Sequence, residues 1–273
     1  MLCTFVLLSS MLLLACKKHD MPQPTQKDIR LVSTKQFGSI LTDKDGNTLY
    51  FFSIDANGQS GCTGGCLAAW PVFYKNAPTL DAGLNPNDFG SIMRTDGAKQ
   101  TTYKGWPLYY YASDAKAGDI NGDGVGGIWF VSKPDYTVML AKTQLVGLNG
   151  KNYTSSYTEG TGATLYVTDD WGKTLYAFSP DKFKKNNFTK PDFSNNAVWP
   201  IFEQSGIKNI PSTLDKGSFD TTNVFGKSQL TFKGWPLYYF SKDSSMRGST
   251  KGVSVPTPGF WPVVNNNSAT APL

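Results

Sequence analysis

From residue 38 onward the apolar positions come in short bursts rich in aromatic and β-branched residues, separated by clusters of Gly, Pro, Asn and Asp. Bursts of this kind predict short strands joined by tight turns, and no stretch keeps a 3.6-residue period long enough for a long helix. Cys66 to Ala69 suits a single helical turn, which Pro71 would stop. Two regions differ. Residues 1–15, MLCTFVLLSSMLLLA, are continuously apolar or neutral and carry no charge. Such a run is too short to span a bilayer and suits the core of a signal peptide. Residues 16–37 are mostly polar, include two prolines, and read as a tether between membrane and fold.

Internal similarity organises the rest. The segment Leu41–Asp55 recurs as Val167–Asp181, and Trp70-Pro71-Val72-Phe73 recurs as Trp199-Pro200-Ile201-Phe202. Tyr103–Tyr111 recurs as Phe232–Phe240, and Gly127-Ile128-Trp129-Phe130-Val131 recurs as Gly259-Phe260-Trp261-Pro262-Val263. The blocks keep their order, so the chain is a tandem duplication. The units are placed at 38–141 and 163–264, with a linker at 142–162 and a disordered tail at 265–273.

Each unit is doubled again. Tyr-x-aromatic-x-x-Asp occurs at Tyr50/Phe52/Asp55, Tyr109/Tyr111/Asp114, Tyr176/Phe178/Asp181 and Tyr238/Phe240/Asp243. A tight-turn signal ending in Gly46, Gly105, Gly172 or Gly234 precedes each copy, so each reads as a hairpin. Tyr and the aromatic residue two positions on share one strand face. The Asp falls just past the strand, where its carboxylate can accept loop amides. The expected class is all-β, two pseudo-symmetric halves of antiparallel hairpins arranged as a sandwich or as a propeller-like body.

These residues resemble a family of bacterial envelope lipoproteins that carry a Tyr-x-(Phe/Trp/Tyr)-x-x-Asp motif, also called secreted repeats of unknown function. The resemblance covers nearly all of residues 38–264 and implies no activity. The first unit has the fuller pattern, with Cys62-Thr63-Gly64-Gly65-Cys66 and the loop Gly118–Gly124. In the second unit Pro191 and Asn195 stand at the offset of the cysteines, and Ser245–Thr250 replaces the acidic loop.

Composition narrows the chemistry. With 273 residues, 40 % of them apolar and 17 % charged, the chain can bury one large core or two ordinary ones. It holds one histidine, His19, ahead of the folded part, so no Ser/His/Asp or Cys/His set can form in the fold. The net charge of +5 comes mostly from lysine, which suits solubility more than nucleic-acid recognition. No nucleic-acid partner is expected.

Leu13-Leu14-Ala15-Cys16 resembles the bacterial lipobox, in which the cysteine is lipidated and becomes the new N-terminus. With Lys17 next to it, the sorting rules imply the outer membrane of a Gram-negative envelope, the lipid chain being the membrane partner. In that oxidising setting Cys62 and Cys66 are most simply a disulfide. The sharper alternative is a redox or copper-handling pair, helped by thioethers from Met93, Met139 or Met246. Asp119, Asn121 and Asp123 open like a calcium loop, but Phe130 stands where a bidentate Glu is needed; a self-capped turn is the preferred reading, and a looser Ca²⁺ site completed by Asp114 is the alternative. Six of the seven tryptophans fall at equivalent places and read as duplicated core, and Trp171 is left as the expected exposed ring. The leading expectation is a non-enzymatic, lipid-anchored binding or scaffolding module whose ligand is an envelope protein or a glycan. A redox or metal-handling protein and a carbohydrate-binding module are the alternatives.

Overall fold

A computed structural model describes residues 26–273, so the apolar leader, Cys16 and the first part of the polar stretch lie outside the described residues. The chain folds into five small antiparallel sheets of two or three strands, joined by tight turns and short 3-10 segments. One four-residue α-helix, Cys66–Ala69, occurs among the described residues. It lies where the sequence allows one turn before Pro71.

Four hairpins carry the architecture. Ile29–Thr34 pairs with Gly38–Asp43, and Phe89–Met93 with Lys99–Tyr103. Val138–Val146 pairs with Ala163–Asp169, and Phe219–Val224 with Lys227–Phe232. Each second strand runs through a tight turn into an extended segment bearing a motif tyrosine. In two of these turns successive residues adopt positive φ: Lys104 (48°) with Gly105 (75°), and Lys233 (50°) with Gly234 (82°). A turn of that hand matches the right-handed strand twist. The positive φ itself favours glycine at both second positions, and a Cβ at Gly234 would also run into the Phe183 ring.

The motif tyrosines then pair with each other. Tyr50 and Tyr109 exchange backbone hydrogen bonds of 2.8 and 2.9 Å, and Tyr176 and Tyr238 exchange two of 2.9 Å. Val72 bridges to Tyr109 and Val131 to Tyr50, giving the ladder Val72–Tyr109–Tyr50–Val131. The second unit repeats it as Ile201–Tyr238–Tyr176–Val263. Each unit therefore has a local two-fold axis between its tyrosines. The repeating element is a quarter of the fold: hairpin, Tyr segment, Asp loop, and a Trp-x-(Val/Ile) segment.

The two units share a continuous core, in which Phe51, Trp106 and Phe130 of the first pack in one cluster with Leu140, Tyr166 and Leu175. Arg247 pins the junction. Its Nη1 donates to the carbonyl oxygens of Lys104 and Trp171, and its guanidinium lies 4.7 Å from the Trp106 ring centre. Burial lowers its pKa to about 10.

Three expected boundaries shift. The second half of the expected tether contains the strand Ile29–Thr34, which pairs along its length with Gly38–Asp43 and buries Ile29 in the core beside Leu41. The stretch 142–162 does not join two domains. It is the end of one strand, an excursion carrying the strand Asn152–Tyr153, and the return into Ala163–Asp169, all inside the third hairpin. The tail is ordered: Ala269 O accepts Trp235 Nε1 at 2.8 Å, Ala271 N donates to Lys233 O at 2.9 Å, and Pro272 O accepts Phe183 N at 2.8 Å. Its small residues looked featureless because their contacts run through the backbone. Deleting residues 269–273 should therefore lower the melting temperature by about 5 °C, as the loss of three hydrogen bonds and their covered surface requires. Differential scanning calorimetry of the truncated chain checks this, and an unchanged midpoint would make the tail a passive end.

Candidate functional site

The four motif copies converge on two equivalent centres, one in each unit. At each centre the tyrosines cross over. The Tyr50 hydroxyl donates to Asp114 Oδ2 and the Tyr109 hydroxyl to Asp55 Oδ2, both at 2.6 Å. Tyr176 donates to Asp243 and Tyr238 to Asp181, both at 2.7 Å. Each Tyr thus bonds the Asp of the other copy, because the two-fold ladder carries each segment's end past the start of its partner. The second carboxylate oxygen caps the following loop. Asp55, Asp114, Asp181 and Asp243 accept through Oδ1 from the amides of Gly61, Asn121, Asn187 and Lys251, at 2.7, 2.9, 2.7 and 2.8 Å.

The aromatic residues of the motif close a ring column. Phe52, Trp129, Trp70 and Tyr111 stack in that order with centroids 3.8, 3.8 and 4.3 Å apart. In the second unit Trp261, Trp199 and Phe240 stack at 3.7 and 4.2 Å, and Phe178 meets Trp261 tilted by 33° at 4.4 Å. The motif tyrosines meet these tryptophans edge-on, with Tyr50–Trp70 at 5.6 Å and Tyr238–Trp261 at 5.2 Å. Edge-to-face and stacked contacts of this kind add to the area burial of large rings. All four stacked tryptophans are buried, whereas Trp235 is half-buried and Trp171 is 40 % exposed.

Burial sets the electrostatics. Desolvation raises Asp55 and Asp181 to about 7 and Asp243 to about 6, against the Tyr and amide bonds that pull the other way. The same burial, with the facing carboxylates, pushes the Tyr50, Tyr109, Tyr176 and Tyr238 hydroxyls well above their ordinary range. Each motif carboxyl is thus held between a tyrosine hydroxyl and a loop amide. Asp243 also lines a cavity of about 330 Å³ together with Lys173, Ser241 and Ser245.

The remaining candidates are placed as follows. Cys62 and Cys66 form a disulfide, so neither sulfur is a thiolate ligand. The offset that set Pro191 against Cys62 is corrected by the loop caps: Cys62 follows Gly61 as Phe188 follows Asn187, since the second loop is longer. Phe188 lies against Tyr238 and Trp261, and Cys62 belongs to the cluster of Tyr109 and Trp129. Asn195 does match Cys66, because Trp199 N bonds Asn195 O as Trp70 N bonds Cys66 O. Its side chain accepts from Lys190 N at 2.9 Å, closing with a hydrogen bond the turn that the first unit closes with sulfur. In the acidic loop, Asp119 accepts from the amides of Ala115 and Lys116, and Asp123 accepts from Val131 N. Asn121 donates to Ser113 O. Among the described residues no three His, Cys, Asp or Glu side chains come together to hold a metal ion.

Three features lie outside the Tyr-x-aromatic-x-x-Asp motif. The Trp-x-(Val/Ile) segment belongs to every quarter, a signal present in the spacing of Trp70/Val72, Trp129/Val131, Trp199/Ile201 and Trp261/Val263. A second Tyr–Asp set, Tyr110 to Asp43 at 3.0 Å and Tyr239 to Asp169 at 2.9 Å, braces the turns from outside. Arg247 carried no repeat signal at all.

The raised carboxyls give a signed pH dependence. A folded pKa above the unfolded value of about 4 means that the folded state binds more protons between the two, so stability is full below about pH 4 and is lost as pH rises through 6 to 7. Asp28, lowered to about 2, acts oppositely but only below pH 4. The melting temperature should therefore fall from pH 4 to pH 8, and the D55N/D181N variant should flatten that slope; a flat wild-type profile would refute the assignment. Replacing both cysteines (C62A/C66A) should cost about 2 kcal/mol from a loop this short while the aromatic near-ultraviolet circular dichroism persists. Denaturant titration reads the first effect and the spectrum the second.

A family of secreted repeats of unknown function matches three segments, residues 31–74, 90–133 and 221–265. Each match runs from a hairpin through the Tyr segment and Asp loop to the Trp segment, which is one quarter of the fold. The quarter bearing Tyr176 and Trp199 has the same elements outside those matches. No curated protein and no solved structure matches the chain. Three of its four quarters being copies of that repeat, the chain belongs to the family of secreted repeats of unknown function.

Proposed function

We propose that the protein is a non-enzymatic module of the cell envelope, anchored through a lipid on Cys16, that presents a rigid duplicated β body for binding or scaffolding. One observation carries the reading: all four motif Tyr–Asp pairs are turned inward and matched to each other. Their chemistry is spent on holding the fold, which leaves surface and clefts for recognition. The anchor fits the geometry, since the first strand starts at Ile29, a short polar stretch after Cys16. Such a stretch holds the body close to the membrane surface. No helix among the described residues is long and apolar enough to cross a membrane.

Phase partition in Triton X-114 tests the anchor on the full chain expressed in a Gram-negative host. The wild type should enter the detergent phase and sediment with outer membranes, and C16A should move to the aqueous phase. A wild type that stays aqueous would overturn the anchored reading.

A further inference from the structure

The two units are near copies, so the places where they differ locate added function. In the first unit Phe51, the residue after the motif tyrosine, fills the space beside Trp106. Its ring lies 5.2 Å from Trp106, 5.6 Å from Phe130 and 5.7 Å from Tyr136. The cavity left there is about 10 Å³, too small for more than one water. In the second unit Ala177 stands where Phe51 stood, Trp235 where Trp106 stood, and Pro262 where Phe130 stood. Without the phenyl ring a cleft of about 330 Å³ opens over Trp235, walled by Ala177 and the segment 262–264.

A second departure from the repeat meets the first at this cleft. The third hairpin alone among the four carries the long excursion between Val146 and Ala163, and that excursion delivers Ser155 and Tyr157 to the cleft wall. Tyr157 is held at φ 60°, a strained conformation for a bulky residue, with its hydroxyl on Val263 O at 3.3 Å. The ordered tail supplies Asn265 and Asn267 on the other side. Replacement of a core ring by alanine, an inserted loop and a folded-back tail thus all line one hollow.

The lining defines the ligand. None of the residues around the cleft, all of them among the described ones, carries a charge, which disfavours ions and phosphorylated compounds. Half-buried indole and phenol rings offer apolar faces. Asn267 and Ser155 offer side-chain donors and acceptors that bond no other described residue, and Asn265 Nδ2 is likewise open. Aromatic faces with neutral amides and hydroxyls match a molecule that is apolar on its ring faces and hydroxylated at its edge.

We propose that this cleft binds one ring of a neutral saccharide against Trp235 and Tyr157, with Asn265, Asn267 and Ser155 meeting its hydroxyls. The inference rests on the reading of the protein as a binding module and names the ligand class of one site on it.

The test uses the full chain in a sugar-free detergent, titrated with maltotriose, cellotriose and tri-N-acetylchitotriose while saturation-transfer NMR and tryptophan fluorescence are followed. At least one trisaccharide should bind saturably. A177F, which restores the ring that the first unit holds at this place, should weaken that binding by about tenfold or more without lowering the melting temperature. N267A should weaken it by a smaller factor. Absence of binding by all three sugars would overturn the proposal, and so would binding that A177F leaves unchanged. Neither result touches the anchored reading, which stands or falls on the detergent partition of the wild type and C16A.

Discussion

The crossed Tyr–Asp hydrogen bond is the constraint from which the rest of each unit follows. A hydroxyl buried beside a carboxyl must find a partner, and leaving either one alone would cost the desolvation of that group. Pairing Tyr50 with Asp114 and Tyr109 with Asp55 meets that demand only if two copies of the motif lie antiparallel with their tyrosines side by side. No single quarter can satisfy its own pair. The doubling of the motif is therefore a folding requirement, and the stacked ring column sits where the two-fold axis brings the aromatic positions and tryptophans together. Asp55, Asp181 and Asp243 are tuned toward neutrality by the same closure, which makes their raised pKa a by-product of architecture.

Much of this was legible in the sequence. The repeats at Tyr50, Tyr109, Tyr176 and Tyr238 identify four equivalent hairpins, and reading six tryptophans as duplicated core holds for the four in the stacked columns and for Trp106. Sequence could not show that the motif partners cross between copies, because within one copy Tyr and Asp stand five residues apart and look like a local pair. The boundaries were missed for a different reason. Strand Ile29–Thr34 reads as polar tether because it buries little of its own surface, and the excursion after Val146 reads as linker because the pairing that encloses it is long-range.

Arg247 shows what repetition hides. It belongs to the second unit, in the loop that replaces the acidic stretch of the first, and it closes on turn Lys104–Gly105 of the first unit. Its Nε and Nη2 are buried with no partner among the described residues, a cost that the stacking on Trp106 and the bonds to two carbonyls must offset. A residue that joins unlike surfaces has no counterpart to align with, so no internal comparison could pick it out.

The same logic explains why the open cleft lies in the second unit. The first unit's Trp106 gives its indole N–H to Asp170 O, a turn of the second unit, so a neighbour covers that face. In the second unit Trp235 instead gives its N–H to Ala269 O of the folded-back tail. A tail of small, uncharged residues covers the indole only in part, and Ala177 removes the ring that would have filled the remainder. In a duplicated fold the first copy can keep the packing that holds the structure together, while the second is free to trade part of that packing for an opening.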